Sequence, residues 1–254
     1  MSAARLQLAE LLVLFGLGSL TALACGLGAI PVFALGERVK QVQPLLWGLA
    51  AGLMTLASVV GLILPALEEG KPGAVGGGLA AGVAFLLLTR RALAGRDVHV
   101  GRLHGAGVRR SLLVFIVLLV HSLPEGFAIG TAYASERDGL GAFVILAIAI
   151  QNIPEGTSVA IPMREAGFTA AQQFWAAVAT SAPQPVGAVI AFLLVDLVDG
   201  LLPASFAFAG GAMLALVVAE LLPKAFTTAT WRSALAGFTA GAALMLVLSA
   251  VLGV

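Results

Sequence analysis

Apolar runs and short polar breaks alternate along the whole chain. A helix crosses the hydrocarbon core of a bilayer with about 20 apolar residues. Eight runs meet that length, over residues 7–30, 45–67, 73–90, 111–134, 140–163, 171–195, 203–226 and 232–253. They are separated at Pro31 to Pro44, Glu68 to Pro72, Arg90 to Arg110, Ser135 to Gly139, Arg164 to Gly167, Asp196 to Pro203, and Thr227 to Trp231. The pattern predicts an all-α membrane protein of eight transmembrane helices, one domain over 1–254, with its longest polar loop at 91–110. A full-length apolar run follows Arg5, so the first segment reads as a retained helix rather than a cleaved signal.

Basic residues in the short loops set the orientation. With the amino terminus outside, the inner loops hold Arg38, Lys40, Arg90, Arg91, Arg96, Arg102, Arg109, Arg110, Arg164, Lys224 and Arg232; the outer side holds only Arg5, Lys71 and Arg137. Both termini are therefore expected outside, and the 91–110 loop in the cytoplasm. Glu68, Glu69, Glu136, Asp138, Asp196 and Asp199 then form an acidic outer rim.

Composition narrows the picture. Hydrophobic residues make up 60% and charged residues 11%, which excludes an ordinary soluble domain, and mean hydropathy is +1.04. The 31 glycines suit closely packed membrane helices. Nucleic acid is not an expected partner, because the arginines lie in short loops between apolar spans. The single cysteine, Cys25, excludes a disulfide framework and reads as a small core residue.

Two matched motifs interrupt the apolar runs: His121-Ser122-Leu123-Pro124-Glu125-Gly126 and Gln151-Asn152-Ile153-Pro154-Glu155-Gly156. In each, the first polar residue and the Glu are four apart and share a helix face. The proline between them has no N–H, so the carbonyl of Val120 or Ile150 loses its helical partner. Two kinked helices, the fourth and fifth, would each bring a carboxylate, a polar neighbour and a freed carbonyl to mid-depth, where cations bind. Under this topology the two helices run in opposite directions, and Met54…Leu64-Pro65 is weakly echoed by Met213…Leu222-Pro223. Inverted repeats with broken helices meeting at the midplane mark transporters.

Of the 13 acidic residues, only Glu125, Glu155 and Glu220 lie deep in a span, and no Lys or Arg is expected beside them. A charge at the bilayer centre costs about 2.5–3.5 kcal/mol on insertion scales, so such carboxylates call for a cation from solution. Imidazole plus carboxylate, as at His121 and Glu125, suits zinc-like ions. Gln151 offers a neutral carbonyl oxygen beside Glu155. Ser122 and Asn152 are read as ligands, as supporting donors, or as plain interhelical hydrogen bonds. Gln184, between Pro183 and Pro185, either borders the path or packs. His99 and His104, in the arginine-rich loop, form at most a weak, transient metal site. A membrane metalloenzyme built on His121 and Glu125 is the rival reading, but such sites need three strong ligands, and the chain has no His-Glu-x-x-His. No enzyme is expected.

The paired His-Ser-x-Pro-Glu-Gly and Gln-Asn-x-Pro-Glu-Gly motifs resemble those of the ZIP (Zrt/Irt-like) metal-ion transporter family, closest to its bacterial GufA-type branch. Eight spans, outward termini and a basic loop between spans three and four agree with it, as does the stretch from Gly52-Leu53-Met54 to Leu64-Pro65-Ala66-Leu67-Glu68. The resemblance implies a transport site at Met54, His121, Glu125, Gln151 and Glu155. A second, adjacent metal site of the family would fall on Ser122, Asn152 and Gln184, all neutral here. Where the family often has His-Glu in the seventh helix, this chain has Ala219-Glu220, leaving Glu220 alone on a cytoplasmic-side path. The implied function is secondary transport of divalent transition metals toward the cytoplasm by an elevator-type mechanism. Zinc is the first choice, with cadmium, iron or manganese as alternatives, and export as the opposite direction. Two carboxylates balance one divalent ion, so a single metal is expected. The resemblance further implies a multi-pass protein of the cell (inner) membrane, with divalent ions and lipid as partners, no cofactor beyond the transported ion, and a homodimer compatible with the pattern.

Overall fold

Glycines placed where helices cross determine how closely the chain packs. In the computed structural model, which describes residues 3–93, 106–135, 137–198, 200–227 and 229–254, all regular structure among those residues is helical. The elements are α1 (Ala3–Leu27), α2 (Ala29–Leu35), α3 (Val39–Ser58), α4 (Leu64–Glu69), α5 (Pro72–Leu93), α6 (Ala106–Ala134), α7 (Leu140–Glu165), α8 (Ala170–Thr180), α9 (Pro183–Leu197), α10 (Leu202–Leu216), α11 (Leu222–Ala225) and α12 (Trp231–Leu252). A Cβ added at Gly48 or Gly52 of α3 would collide with the Ala234 or Phe238 carbonyl of α12. The same holds for Gly78 and Gly82 of α5 against Ala204 and Phe208 of α10, and for Gly130 of α6 against Ala188 of α9. Backbones meet directly in these pairs, as small residues permit in lipid.

Seven helical stretches among the described residues are long and apolar enough to cross a membrane. The first, Leu8–Glu69, runs 62 residues, about three times the length of one crossing. The break expected from Pro31 to Pro44 is much smaller than anticipated. Pro31 sits in the first turn of α2, where its missing N–H would have no helical partner, and Pro44 lies inside α3. The chain turns at Gly36, whose φ of 59° and ψ of −132° only glycine adopts readily, through one 3₁₀ turn at Gly36–Arg38.

Two π-helical turns, Val59–Ile63 and Val217–Leu221, each run into a Leu-Pro pair, Leu64-Pro65 and Leu222-Pro223. A π turn already departs from the i−4 ladder, so it accommodates the hydrogen bond that the proline cannot donate. The sixth expected span also breaks: α8 ends at Thr180, Ser181 and Ala182 form a turn, and Pro183 opens α9. By contrast, α6 and α7 continue helically through Pro124 and Pro154.

Phe143, Phe206, Leu53, Met54, Ile129, Ile148 and Met213 fill the core, whereas Leu12, Leu20, Leu88, Val218 and Val251 are more than half exposed. An apolar exterior around a packed interior is the form a bilayer stabilises. Exposed ion pairs tie turns together at the two ends. Lys40 lies 2.9 Å from Glu37 and 2.8 Å from Glu165; its hydrogen bond holds the Glu37 carboxyl below the usual range. Arg137 lies 2.7 Å from Glu68 and 3.4 Å from Glu69. Such pairs contribute little stability. His99, His104, Glu136 and Asp199, with most of the 91–110 loop, lie outside the described residues.

Candidate functional site

The two Pro-Glu-Gly motifs meet where α6, α7, α9 and α1 pack together. Their glycines make this possible: a Cβ at Gly126 would strike the Gln184 carbonyl of α9, and one at Gly156 the Cys25 carbonyl of α1. The adjacent glutamates are thereby held at the centre of the bundle, Glu125 1% and Glu155 5% exposed. Their carboxyl groups lie within hydrogen-bond reach of each other.

Amides gather on one member of this pair, Glu125. Gln151 Nε2 donates to Glu125 Oε1 at 3.1 Å, and Gln184 Nε2 donates to Glu125 Oε2 at 2.7 Å. Gln184 also donates to Asn152 Oδ1 at 3.2 Å and accepts from Asn152 Nδ2 at 3.0 Å and Thr21 Oγ1 at 2.7 Å. Its two donors and two lone pairs are all engaged. Asn152 Nδ2 further donates to the Thr21 carbonyl at 2.7 Å. Ser122 Oγ serves the backbone instead, donating to the Thr180 carbonyl at 2.8 Å, which the end of α8 leaves without a helical partner.

Three expected ligands carry a buried polar atom with no hydrogen-bond partner: His121 Nδ1, Gln151 Oε1 and Glu155 Oε1. Only two other described residues, Thr131 and Gln173, have such atoms. Leaving a buried acceptor unpaired costs about 1–3 kcal/mol, and all three of these atoms belong to residues of the two motifs.

The other ring nitrogen of His121 meets a different carboxylate. Nε2 lies 3.6 Å from Glu220 Oε1. The second π turn aims Glu220 inward, and here the expectation that no Lys or Arg joins the deep carboxylates is corrected. Lys224 Nζ is 3.1 Å from Glu220 Oε2, and Arg90 Nε is 3.4 Å from Oε1. Lys224 is one turn along on the same helix face, and Arg90 reaches across from the end of α5; both side chains stay 40–49% exposed while their charged tips meet the buried Glu220. Met54 is fully buried in the apolar core, and its carbonyl accepts from Ser58 Oγ at 2.7 Å. Among the described residues, no three His, Cys, Asp or Glu side chains gather at one point; the carboxylates fall into two groups, Glu125 with Glu155 and Glu220 with His121.

Thr21 was not among the expected site residues; it is one of two hydroxyls in the first apolar run, with Ser19. Nothing in the sequence separates the two. Trp47 is similar: its indole Nε1 donates to Ser158 Oγ at 2.8 Å, one turn beyond Glu155.

Comparison with known proteins bears on the chain as a whole. The model of the ZIP zinc transporter family matches residues 92–249. A candidate zinc transporter of Arabidopsis thaliana is 36% identical over 82% of this chain, although the chain spans only 34% of that relative's length. The zinc transporter GufA of Myxococcus xanthus is 34% identical over 91% of this chain and 95% of its own. The zinc transporter ZIPB of Bordetella bronchiseptica is 33% identical over 91% and 78%, respectively. A family match over more than half the chain, together with near full-length relatives, gives the conclusion: this membrane protein belongs to the ZIP zinc transporter family.

Proposed function

We propose that the protein carries divalent transition-metal ions, zinc first among them, across the membrane toward the cytoplasm, binding one ion at a time between Glu125 and Glu155. The observation that carries this reading is the buried carboxyl pair, flanked by unpartnered atoms on Gln151, Glu155 and His121. A divalent ion there would neutralise both carboxylates and satisfy those acceptors. His121 and Met54 would complete the ligand set by side-chain rotation, with Met54 biasing the site toward soft ions. Gln184, Asn152 and Ser122 are already engaged with one another, with Glu125 or with backbone, and they add no charge for a second ion. Their role is to orient Glu125.

The ion is cargo rather than a resident cofactor, and family membership places the chain among transporters, not enzymes. We read Leu8–Glu69 as two crossings joined at Gly36, which makes eight spans with both termini outside the cell membrane. The two proline motifs then lie on helices related by inversion, kinked at Pro124 and Pro154 and meeting at the centre. Sliding of one helix group against another would move the ion across, as an elevator does. The mass of the particle in lipid nanodiscs distinguishes a monomer from a homodimer.

Purified protein in liposomes, offered a panel of divalent ions on one side, tests the reading. Accumulation of zinc, with cadmium, iron or manganese following and magnesium excluded, is the expected result. Absence of uptake for every ion would overturn it.

A further inference from the structure

Glu220 differs from the other deep carboxylates in having basic partners already in place. Lys224 and Arg90 approach it within 3.1 and 3.4 Å. A cavity of about 170 Å³ touches Glu220 and Lys224 and extends to Glu155, with Trp47, Ser158 and Leu118 in its walls. Glu155 Oε1, buried and without a partner, is in the same residue that lines it. An ion leaving the Glu125–Glu155 pair through this cavity therefore meets the Lys224 ammonium.

The geometry points to Lys224 as a tethered competing cation that occupies Glu220 and weakens metal binding at the neighbouring carboxylate pair, so that the ion is released instead of trapped. The inference rests on the proposed transport function. With all three carboxylates ionised, Arg90 and Lys224 leave the group with one negative charge, and a divalent ion overshoots neutrality by one. Without Lys224, the same ion brings the group to zero. Lys224 is itself half-exposed, but the Glu155 and Glu220 carboxylates that line the cavity with it are buried, where charge is weakly screened, so Lys224 makes the bound ion less stable at the end of the bundle where it must leave. An ion pair that merely holds α11 in place would act in the opposite sense, since cutting it would free Glu220 and loosen the site.

Zinc titration calorimetry on the full-length protein in lipid nanodiscs separates the two. Lys224→Met should bind zinc about tenfold more tightly than the wild type, and Lys224→Arg, which keeps the charge, should match the wild type. Lys224→Gln keeps a hydrogen-bond donor for Glu220 and carries the same expectation as Lys224→Met should the latter fail to fold. Equal or weaker binding in the uncharged variants overturns the inference while leaving the transport reading intact. A wild-type protein that binds no zinc would overturn both.

Discussion

Two carboxyl groups buried in contact are stable only if a cation or a proton lies between them. Glu125 and Glu155 form such a pair, yet their surroundings differ. Both oxygens of Glu125 receive amide donors, from Gln151 and Gln184, whereas Glu155 Oε1 receives none. Glu155→Gln therefore removes charge without cutting a donated hydrogen bond at that oxygen, and the variant should fold. It should nevertheless lose at least about tenfold in zinc uptake into liposomes, because one carboxylate leaves a divalent ion half-neutralised in a medium where ion burial is costly. Wild-type uptake by the variant would make the second motif structural. Met54 gives a second prediction at this scale. A thioether favours soft ions, so Met54→Ala should weaken cadmium binding more than manganese binding; equal losses in calorimetry would mean that Met54 only packs in the core.

Individual helices are placed by contacts that apolar patterning does not encode. The glycine ending each motif looks incidental in the sequence, yet Gly126 and Gly156 are where α9 and α1 come against the backbone of α6 and α7. Gly156→Ala should push α1 off α7 and, as overpacking, cost about 1–3 kcal/mol. A lower melting temperature in detergent, with weakened zinc uptake, checks this; an unchanged melting temperature would show that the Cys25 carbonyl can yield. The apolar runs were readable because each must cover roughly the same bilayer thickness. The π turns, the break at Ser181–Ala182 and the helical path through Pro31 and Pro44 were not. They depend on which backbone groups find partners after folding, and that is a tertiary property. The echo between Leu64-Pro65 and Leu222-Pro223 acquires a structural counterpart only through the matching π turns before each pair.

Across the whole molecule, the deep charges divide into two groups, and the division was only half visible in the sequence. Glu125, Glu155, Gln151 and Asn152 stood out because their motifs repeat, and they do meet around one centre with Gln184. The partners of Glu220 did not stand out, because Lys224 and Arg90 sit at the edges of spans and meet it only by the reach of their side chains. The carboxyl pair Glu125 with Glu155 thus stands apart from the ion-paired group at Glu220, both bordering one cavity through Glu155 and Glu220. Anomalous diffraction from crystals of the protein soaked in cadmium tests this separation most directly. One fully occupied ion is expected in coordinating contact with both Glu125 and Glu155, with Gln184 uncoordinated and Lys224 still beside Glu220. Two fully occupied ions between Glu125 and Glu155, or a single ion at Glu220 with none at the pair, would contradict it.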